Sequence, residues 1–328
     1  MKKVIFVLLP LLLITACENN PAISEETLDI TITNYGAGTV CGGAVVAFKD
    51  KVYRSFEGGL ASIDEMLNIN ENDMIGDFDP SQVYHIEVIE DEIWFSLTDY
   101  TSFNEIRVLN EYGTQIASYE AGILPGDFSY WTDGDNSWVF VANEGNYGSS
   151  NGSISMIDQD GNISHTESIG DVVQALEVYE DKLIVLVNNS HKIIVYSITE
   201  DGLAMPGIEV STNGSSPRDL VVVDDVVYFT NYTTTDVKSF NLFNYAIEES
   251  IPVGASPEGI TLNGTTLWVA NSGENTVSEI SLSSLNATKH EVGNGPQNIA
   301  IHDGDLYISR THYDDSWNAF HGSSKINF

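Results

Sequence analysis

The chain contains little cysteine and little positive charge. Its 328 residues include two cysteines, Cys17 and Cys41, and 13 lysines and arginines against 48 aspartates and glutamates, which gives a net charge of −35. A surface this acidic repels nucleic acid and anionic lipid headgroups, so the composition argues against a protein that binds polyanions. Two cysteines permit at most one disulfide. We expect Cys41, which falls where a first strand should begin, to be a small buried apolar residue.

Long apolar runs are absent after the N-terminus. Residues 4–14 are mostly apolar and follow Lys2 and Lys3, but this stretch is too short to span a bilayer as a helix and is typical of a targeting segment. Helical periodicity is equally scarce, since the single amphipathic window covers residues 62–67. Aromatic and β-branched residues fill the other periodic segments, so the sequence predicts an all-β protein.

Two segments of the chain, residues 216–242 and 256–282, repeat the same pattern. Each opens with a Ser-Pro pair, at Ser216 and at Ser256. Each then shows an aromatic strand that ends in asparagine, at Asn231 and at Asn271. A repeat of roughly 40 residues with several short apolar runs indicates stacked supersecondary units, because one unit cannot bury its own faces.

Seven such units follow one another, and each has the pattern of four short strands separated by turn residues. We therefore predict one domain, residues 27–328, that folds as a seven-bladed β-propeller of four-stranded antiparallel blades. The last unit ends in a third strand at residues 324–328, and we expect residues 28–33 to supply its fourth strand and close the ring. The second strands of the units are predicted at residues 52–56, 93–97, 139–143, 183–188, 227–231, 267–271 and 306–310.

The N-terminal segment ends in Leu13-Ile14-Thr15-Ala16-Cys17, which resembles the lipobox of bacterial lipoproteins. The resemblance implies that residues 1–16 are a signal peptide and that cleavage leaves diacylglycerol on the Cys17 sulfur and an acyl chain, such as palmitate, on its amino group. Residues 17–26 would then be a polar tether. The implied location is the bacterial cell envelope, at the outer membrane and exposed at the cell surface. The alternative is an ordinary signal peptide with an incidental cysteine.

The repeat itself resembles the YVTN, or YncE-like, propeller repeat. The motifs that carry the resemblance are residues 254–260, 267–271 and 275–280, and residues 295–299 follow the same pattern. A second stretch, residues 140–155, is similar to a segment of YncE-like surface lipoproteins of Bacteroidota. Some of those proteins capture cobalamin and pass it to a TonB-dependent outer-membrane transporter, so the resemblance implies a corrinoid as a candidate ligand and such a transporter as a candidate partner.

The residue after each proline-like position should form a ring at the mouth of the central channel. The first strand of a blade lines this channel, and the loop that enters it emerges on the same face as the loop between the second and third strands. A ring of mixed chemistry predicts a ligand site, and the alternative is that these side chains coat a water-filled funnel. The ring consists of Gly43, Tyr84, one of the residues 127–130, Gln174, Arg218, Glu258 and Gln297.

Further candidate binding residues lie in the loops of the same face. Exposed aromatic side chains are costly unless something covers them, either a ligand or a neighbouring blade. The candidates of blade three are Tyr130, Trp131, Glu144, Asn146 and Tyr147; those of the other blades are Tyr232, Arg310, Tyr313 and Trp317.

Both arginines among the candidates allow two interpretations. We favour ligand contact for Arg218 and a structural ion pair for Arg310, and Glu258 and Asp314 are the candidate partners for either.

No catalytic motif or metal-ligand spacing is found, and no cofactor is predicted. We predict a binding protein for a small or medium-sized ligand. The alternatives are a protein-interaction scaffold and a metal-dependent propeller hydrolase that draws on Glu144, Glu258 and asparagines.

Overall fold

The computed structural model describes residues 28–37, 45–56, 59–76 and 83–328. The signal segment, the tether, Cys17, Cys41 and Gly43 lie outside these ranges, so their predicted roles stay predictions. None of the described residues is helical, and accordingly this part of the chain contains no helix that is long and apolar enough to cross a membrane.

The strands form seven sheets of four antiparallel strands each, which confirms the predicted propeller. The first strand in the chain, β1 (Asp29–Ala37), belongs to the last blade. Blade 1 contains β2 Val45–Phe48, β3 Lys51–Phe56, β4 Gly59–Ile63 and β5 Ile69–Ile75; blade 2 contains β6 Val83–Ile89, β7 Glu92–Thr98, β8 Asn104–Leu109 and β9 Gln115–Glu120; blade 3 contains β10 Pro125–Thr132, β11 Ser137–Asn143, β12 Ser153–Asp158 and β13 Ile163–His165.

The remaining blades follow the same order of strands, from the channel outwards. Blade 4 contains β14 Val173–Tyr179, β15 Lys182–Val187, β16 Lys192–Thr199 and β17 Gly202–Ser211; blade 5 contains β18 Pro217–Val223, β19 Val226–Asn231, β20 Asp236–Asn241 and β21 Ala246–Pro252; blade 6 contains β22 Pro257–Asn263, β23 Thr266–Asn271, β24 Thr276–Ser281 and β25 Ala287–Glu291; blade 7 contains β26 Pro296–His302, β27 Asp305–Tyr313 and β28 Ala319–Asn327.

The N-terminal strand closes the ring, as the sequence predicts. Strand β1 pairs antiparallel with β28, from Asp29 opposite Asn327 to Ala37 opposite Phe320, with an irregularity between Asn34 and Gly36. Blade 7 therefore combines the two ends of the domain, and its outer edge is β1. Closure of this kind completes blade 7 and ties the two ends of the domain together through the hydrogen bonds of one sheet.

The core of the domain is divided among the interfaces between blades. Within the described residues, seven clusters of buried apolar side chains occur, and each joins two neighbouring blades. For example, Phe240 and Leu186 pack together between blades 4 and 5. The innermost strand of each blade also contacts the innermost strand of the next blade around the ring. A single sheet exposes two apolar faces, so it is stable only between two neighbours.

The asparagines at the ends of second strands hold the turns of their own blades. Asn271 is fully buried; its side-chain oxygen accepts the amide of Gly254 at 3.0 Å, and its Nδ2 donates to Thr276 Oγ1 and Ser278 Oγ at 3.0 Å. Asn143 and Asn231 are buried in the same place in their blades. Because an unsatisfied buried backbone amide is costly, this side chain explains why the repeat contains asparagine here.

The short amphipathic window at residues 62–67 is not helical. Strand β4 ends at Ile63, and the chain then turns around Asp64, whose Oδ1 accepts the amides of Met66 and Asn68 at 2.9 and 2.8 Å. An aspartate that accepts amides two and four residues further on stabilises a turn in place of a helix.

Candidate functional site

In blades 2 to 7 the pairing between the first and second strands has an irregularity near the start of the first strand. In blade 5 it directs two consecutive side chains to different places. In blade 5 the register with β19 shifts between Pro217 and Leu220, so that Arg218 and Asp219 lie in the irregular part. Arg218 reaches the ring residues of neighbouring blades at the channel mouth, whereas Asp219 lines the channel itself. We call the face that carries the ring the upper face.

The described ring differs from the predicted ring in blade 3. Its position after the proline is Gly126, not one of the residues 127–130, because Pro125 pairs with Asn143 as Pro217 pairs with Asn231. A Cβ on Gly126 would lie 3.5 Å from the Tyr84 ring, which is ordinary van der Waals contact, so the tyrosine of blade 2 packs beside this position. The other ring members are Tyr84, Gln174, Arg218, Glu258 and Gln297.

A continuous hydrogen-bonded chain joins the ring residues of four blades. The Tyr84 hydroxyl and Gln174 Nε2 donate to Glu144 Oε1 at 2.5 and 3.0 Å. Arg218 Nη1 donates to Gln174 Oε1 at 2.7 Å, and Arg218 Nε donates to Glu258 Oε2 at 2.7 Å. We call these five residues the mouth network. Of the two interpretations of Arg218, the pair with Glu258 is present in the structure, and the guanidinium bridges blades 4 and 6.

The protonation states of the mouth network follow from burial and from neighbouring charges. Burial and the charge of Glu144 raise the pKa of Tyr84 well above its usual value, so the phenol remains a donor. Burial raises the pKa of Glu144, although the Tyr84 hydroxyl and Arg218 oppose this shift. Burial alone would lower the pKa of Arg218, but Glu258 outweighs it and the net shift is upwards. Arg218 therefore stays charged.

Exposed aromatic side chains surround the mouth network on the upper face. Tyr147 and Trp317 are 80% and 82% exposed, in the loops between the second and third strands of blades 3 and 7. Tyr313 contacts Trp317, with ring centroids 6.1 Å apart. Tyr232 lies beside the network, where the Arg218 guanidinium is 5.7 Å from its ring centroid. These predicted residues all lie on the upper face.

Blade 2 adds a further exposed aromatic residue to the upper face. Tyr100 is 59% exposed, and its ring meets that of Tyr84 edge-on at 5.9 Å. It lies in the loop between the second and third strands of blade 2, where the sequence pattern places it. Asn146 lies in the corresponding loop of blade 3, where its backbone amide donates to Asn151 Oδ1 at 2.7 Å.

Three predicted site residues lie away from the mouth. Trp131 packs against the cluster between blades 3 and 4, and Tyr130 packs between blades 2 and 3, with its hydroxyl 3.3 Å from Glu90 Oε1. Both belong to the lower half of β10, which explains why they do not reach the ring. Arg310 is buried in blade 7, and its Nη2 donates to Thr33 O and Asn34 Oδ1 at 2.8 Å. Arg310 therefore has a structural role, as predicted, but its partners are oxygen atoms of the closing strand. Neither Glu258 nor Asp314 pairs with it.

A cavity of about 530 Å³ occupies the central channel beneath the mouth network. Its wall includes six aspartate, glutamate and histidine side chains from blades 2 to 5, and the facing wall of blades 6, 7 and 1 is apolar or neutral. Asp127 and Asp219 each join one blade to the next, since their Oδ2 atoms accept the amides of Leu176 and Ile260 at 2.9 Å. These six residues are His85, Glu87, Glu90, Asp127, Glu177 and Asp219.

Repulsion among the channel carboxylates perturbs their protonation. Burial, together with the charges of Asp127, Glu87 and Asp219, raises the pKa of Glu177 to about 8. Burial and Asp127 raise the pKa of Asp219 to about 7. Burial opposes the charged form of His85, but its contacts with Asp127 and Glu87 prevail and raise its pKa to about 10. At neutral pH the Glu177 carboxyl group is therefore mostly protonated and His85 is charged.

The sequence prediction did not include these channel residues, apart from Asp127, which was one of the four residues considered for the ring position of blade 3. The available signal was the position two residues after each proline, which holds Asp127 and Asp219. Among the described residues, no group of three or more His, Cys, Asp and Glu side chains is arranged to hold a metal ion.

The comparisons with known proteins bear on the fold. No protein-family model matches the chain. No curated protein sequence matches it either. Several solved structures resemble it. The WD40 domain of Neurospora crassa Pan2 is 13% identical, with 87% of this chain and 89% of that chain covered and a TM-score of 0.62. The computationally designed protein Ika8 is 11% identical, with 85% of each chain covered and a TM-score of 0.59.

A third similar structure is the dihydro-heme d1 dehydrogenase NirN in complex with DHE, which is 14% identical and has a TM-score of 0.55. The match covers 78% of this chain and 57% of that one. At such low identity these likenesses show the fold alone. The chain is a seven-bladed β-propeller of four-stranded blades, an architecture that generally serves binding or scaffolding.

Proposed function

We propose that this propeller is a binding protein that captures a small or medium-sized ligand on its upper face. The observation that carries the proposal is the combination of the mouth network with the exposed aromatic side chains around it. Tyr147 and Trp317 offer apolar area at the rim, whereas Gln174 and Arg218 offer hydrogen-bond donors at the centre. Binding sites commonly combine apolar contact with a few well-placed polar groups.

The mouth network also limits the chemistry of the ligand. Its polar groups already satisfy one another, so a ligand must replace these bonds or accept from the outer edge of Arg218, whose side chain is 31% exposed. Glu144 and Glu258 lie beside these donors and disfavour a strongly anionic ligand. A neutral molecule with amide groups and apolar edges fits the arrangement best. A corrinoid has both features, and the resemblance to YncE-like surface lipoproteins makes it the first candidate.

The same resemblance supports the proposed location. We propose that cleavage before Cys17 leaves a lipid-anchored protein of the cell envelope, held at the outer membrane and exposed at the surface, where it hands its ligand to a TonB-dependent transporter. Metabolic labelling with palmitate tests the anchor. We expect the wild-type protein to incorporate label and the Cys17→Ser variant to incorporate none; label in neither protein would contradict the lipidation.

Calorimetric titration of the mature protein with cyanocobalamin tests the proposed ligand. We expect one-to-one binding that weakens roughly fivefold in the Tyr147→Ala variant, since a stacked aromatic contact typically contributes about 1 kcal/mol. The matched control is Tyr112→Ala, because Tyr112 is equally exposed at 80% but lies on the lower face. The absence of heat at micromolar protein would eliminate a corrinoid, and equal weakening in both variants would eliminate this face.

The second candidate is a protein-interaction scaffold, which the exposed aromatic side chains of the upper face also favour. A partner protein would cover Tyr147, Tyr313 and Trp317 without entering the channel mouth. Pull-down through the anchored protein would then recover one envelope protein in fixed ratio, and the Arg218→Ala variant would recover it equally well. Loss of that protein in the variant would favour ligand capture.

A further inference from the structure

Two buried arginines meet where the ring closes, at the junction of blades 7 and 1. Arg54 on β3 is 0% exposed and Arg310 on β27 is 2% exposed. Both guanidinium groups contact the same part of β28. Arg54 Nη1 donates to Gly322 O at 2.9 Å and to Ser323 Oγ at 2.8 Å. A Cβ on Gly322 would lie 2.3 Å from Arg310 Nη2, so the glycine is required for this contact.

Neither guanidinium has a carboxylate partner among the described residues. The chain has four arginines, and the other two form ion pairs, Arg107 with Glu105 and Arg218 with Glu258. Arg54 and Arg310, which lack a carboxylate partner, are also the two arginines that are buried away from solvent. A buried charge without a counter-charge is strongly unfavourable, and truncation of one partner of a buried pair typically destabilises a protein for this reason.

The unused donors of Arg54 lie on one edge of its guanidinium group. Nε and Nη2 are buried and have no hydrogen-bond partner, whereas Nη1 is bonded. These two nitrogens form the parallel fork with which arginine binds anions bidentately. Arg310 Nε is also buried without a partner. The junction thus presents an empty fork and a second positive charge, both shielded from water.

The surroundings retain this positive charge. The guanidinium of Arg54 lies 4.7 Å from the centroid of the Tyr35 ring, which stabilises a cation on one face. His321 is buried nearby, and Thr311 Oγ1 is 3.1 Å from its Nδ1. Burial lowers the pKa of Arg54 and of Arg310, and in Arg310 the charge of Arg54 lowers it further. Guanidinium pKa values are so high that both groups remain charged.

We propose that this junction encloses a small inorganic anion, of the size of chloride, held by the fork of Arg54 with Arg310 as the second positive charge. The complete burial of both guanidinium groups excludes larger ligands such as nucleotides or peptides. Because Arg310 bonds to Thr33 and Asn34 of the closing strand, the anion stabilises ring closure. It is a structural ion, distinct from the ligand of the upper face.

Thermal unfolding at constant ionic strength tests the site. We expect sodium chloride to raise the melting temperature by at least about 2 °C over sodium gluconate, whose anion is too large to enter. The shift should disappear in Arg54→Met and persist in Arg107→Met, which removes a partly exposed arginine that has its own ion pair. An equal shift in both variants, or no shift in the wild type, would overturn the proposal.

A crystal grown in sodium bromide gives a direct test that does not depend on a variant folding. We expect an anomalous bromide peak within hydrogen-bond distance of Arg54 Nε and Nη2; a well-ordered junction without a peak would refute the site. The competing counter-charge is a carboxylate from outside the described residues, of which Glu57 is the nearest to Arg54 in sequence. If Glu57→Gln creates a chloride dependence that the wild type lacks, the carboxylate is the partner and the proposal is wrong.

Discussion

The channel carboxylates predict an unusual dependence of stability on pH, and Glu177 is the residue with which to test it. Its pKa is raised from 4.5 to about 8 by burial and by three neighbouring carboxylates. The folded state therefore binds the Glu177 proton more tightly than the unfolded state. Stability from this group is fully present below pH 4.5 and is lost as the pH rises to about 8.

The size of the effect has an upper bound. A pKa difference of this size corresponds to roughly 5 kcal/mol at about 1.4 kcal/mol per unit. Glu177 is only partly buried and lines the channel cavity, so screening by solvent reduces this figure, and we expect about 2 kcal/mol. The shifts of Asp219 and His85 are also upwards and act in the same direction. The wild-type free energy of unfolding should therefore fall between pH 5 and pH 8.5.

The assay is urea unfolding at these two pH values, followed by tryptophan fluorescence. Glu177→Gln removes the ionisable group but keeps the shape of the side chain. We expect the loss of stability between pH 5 and pH 8.5 to be about 2 kcal/mol smaller in this variant than in the wild type. The exposed Glu120 on β9 gives the control, since Glu120→Gln should leave the loss unchanged. An identical loss in Glu177→Gln and wild type would refute the reasoning.

Three further predictions concern the repeat, the mouth and the ring closure. Asn271→Ala leaves the buried amide of Gly254 without its acceptor and should lower the free energy of unfolding by about 2 kcal/mol in urea. Arg218→Met leaves the carboxylate of Glu258 without its partner and should lower the melting temperature by about 2–4 °C. Ile30→Asp places a charge against the core between blades 6 and 7 and should destabilise by about 2–3 kcal/mol, whereas Ile32→Asp, which is exposed, should stay within about 0.5 kcal/mol.

The fold was predictable because each blade is encoded by one short stretch of sequence with the same pattern of strands and turns. Asn231 and Asn271 end second strands in blades 5 and 6 and bridge the turns there, so the sequence pattern and its structural cause coincide. The closing strand was predictable by elimination, since the last unit lacked a fourth strand and the N-terminus offered one. Both inferences needed only the order of short strands along the chain.

The candidate site was predictable in part, and the failures have a common cause. The upper face collects Tyr84, Gln174, Arg218 and Glu258 because the ring position is periodic. In blade 3, however, the ring position is Gly126, which carries no side chain, and Glu144 of a neighbouring loop joins Tyr84 to Gln174 instead. Contacts between blades decide which loop side chain completes the network, and no pattern within one repeat reveals them.

The arginine pair illustrates the same limit. Arg54 and Gly322 are 268 residues apart in sequence and meet only because the ring closes. Burial of Arg310 follows from the contact of its guanidinium group with the closing strand. An ion pair with Asp314, which is four residues away, was the local alternative, but Asp314 instead accepts the amide of Asn318 at 2.9 Å within its own turn.

The central claim is that the upper face of the propeller is the binding surface. Hydrogen–deuterium exchange of the mature protein, with and without saturating cyanocobalamin, tests it most directly. We predict that the ligand slows exchange in the upper loops at residues 144–152 and 311–318 and leaves the lower turns at residues 110–114 and 241–246 unchanged. Protection confined to the lower turns, or no protection in any loop, would contradict the account.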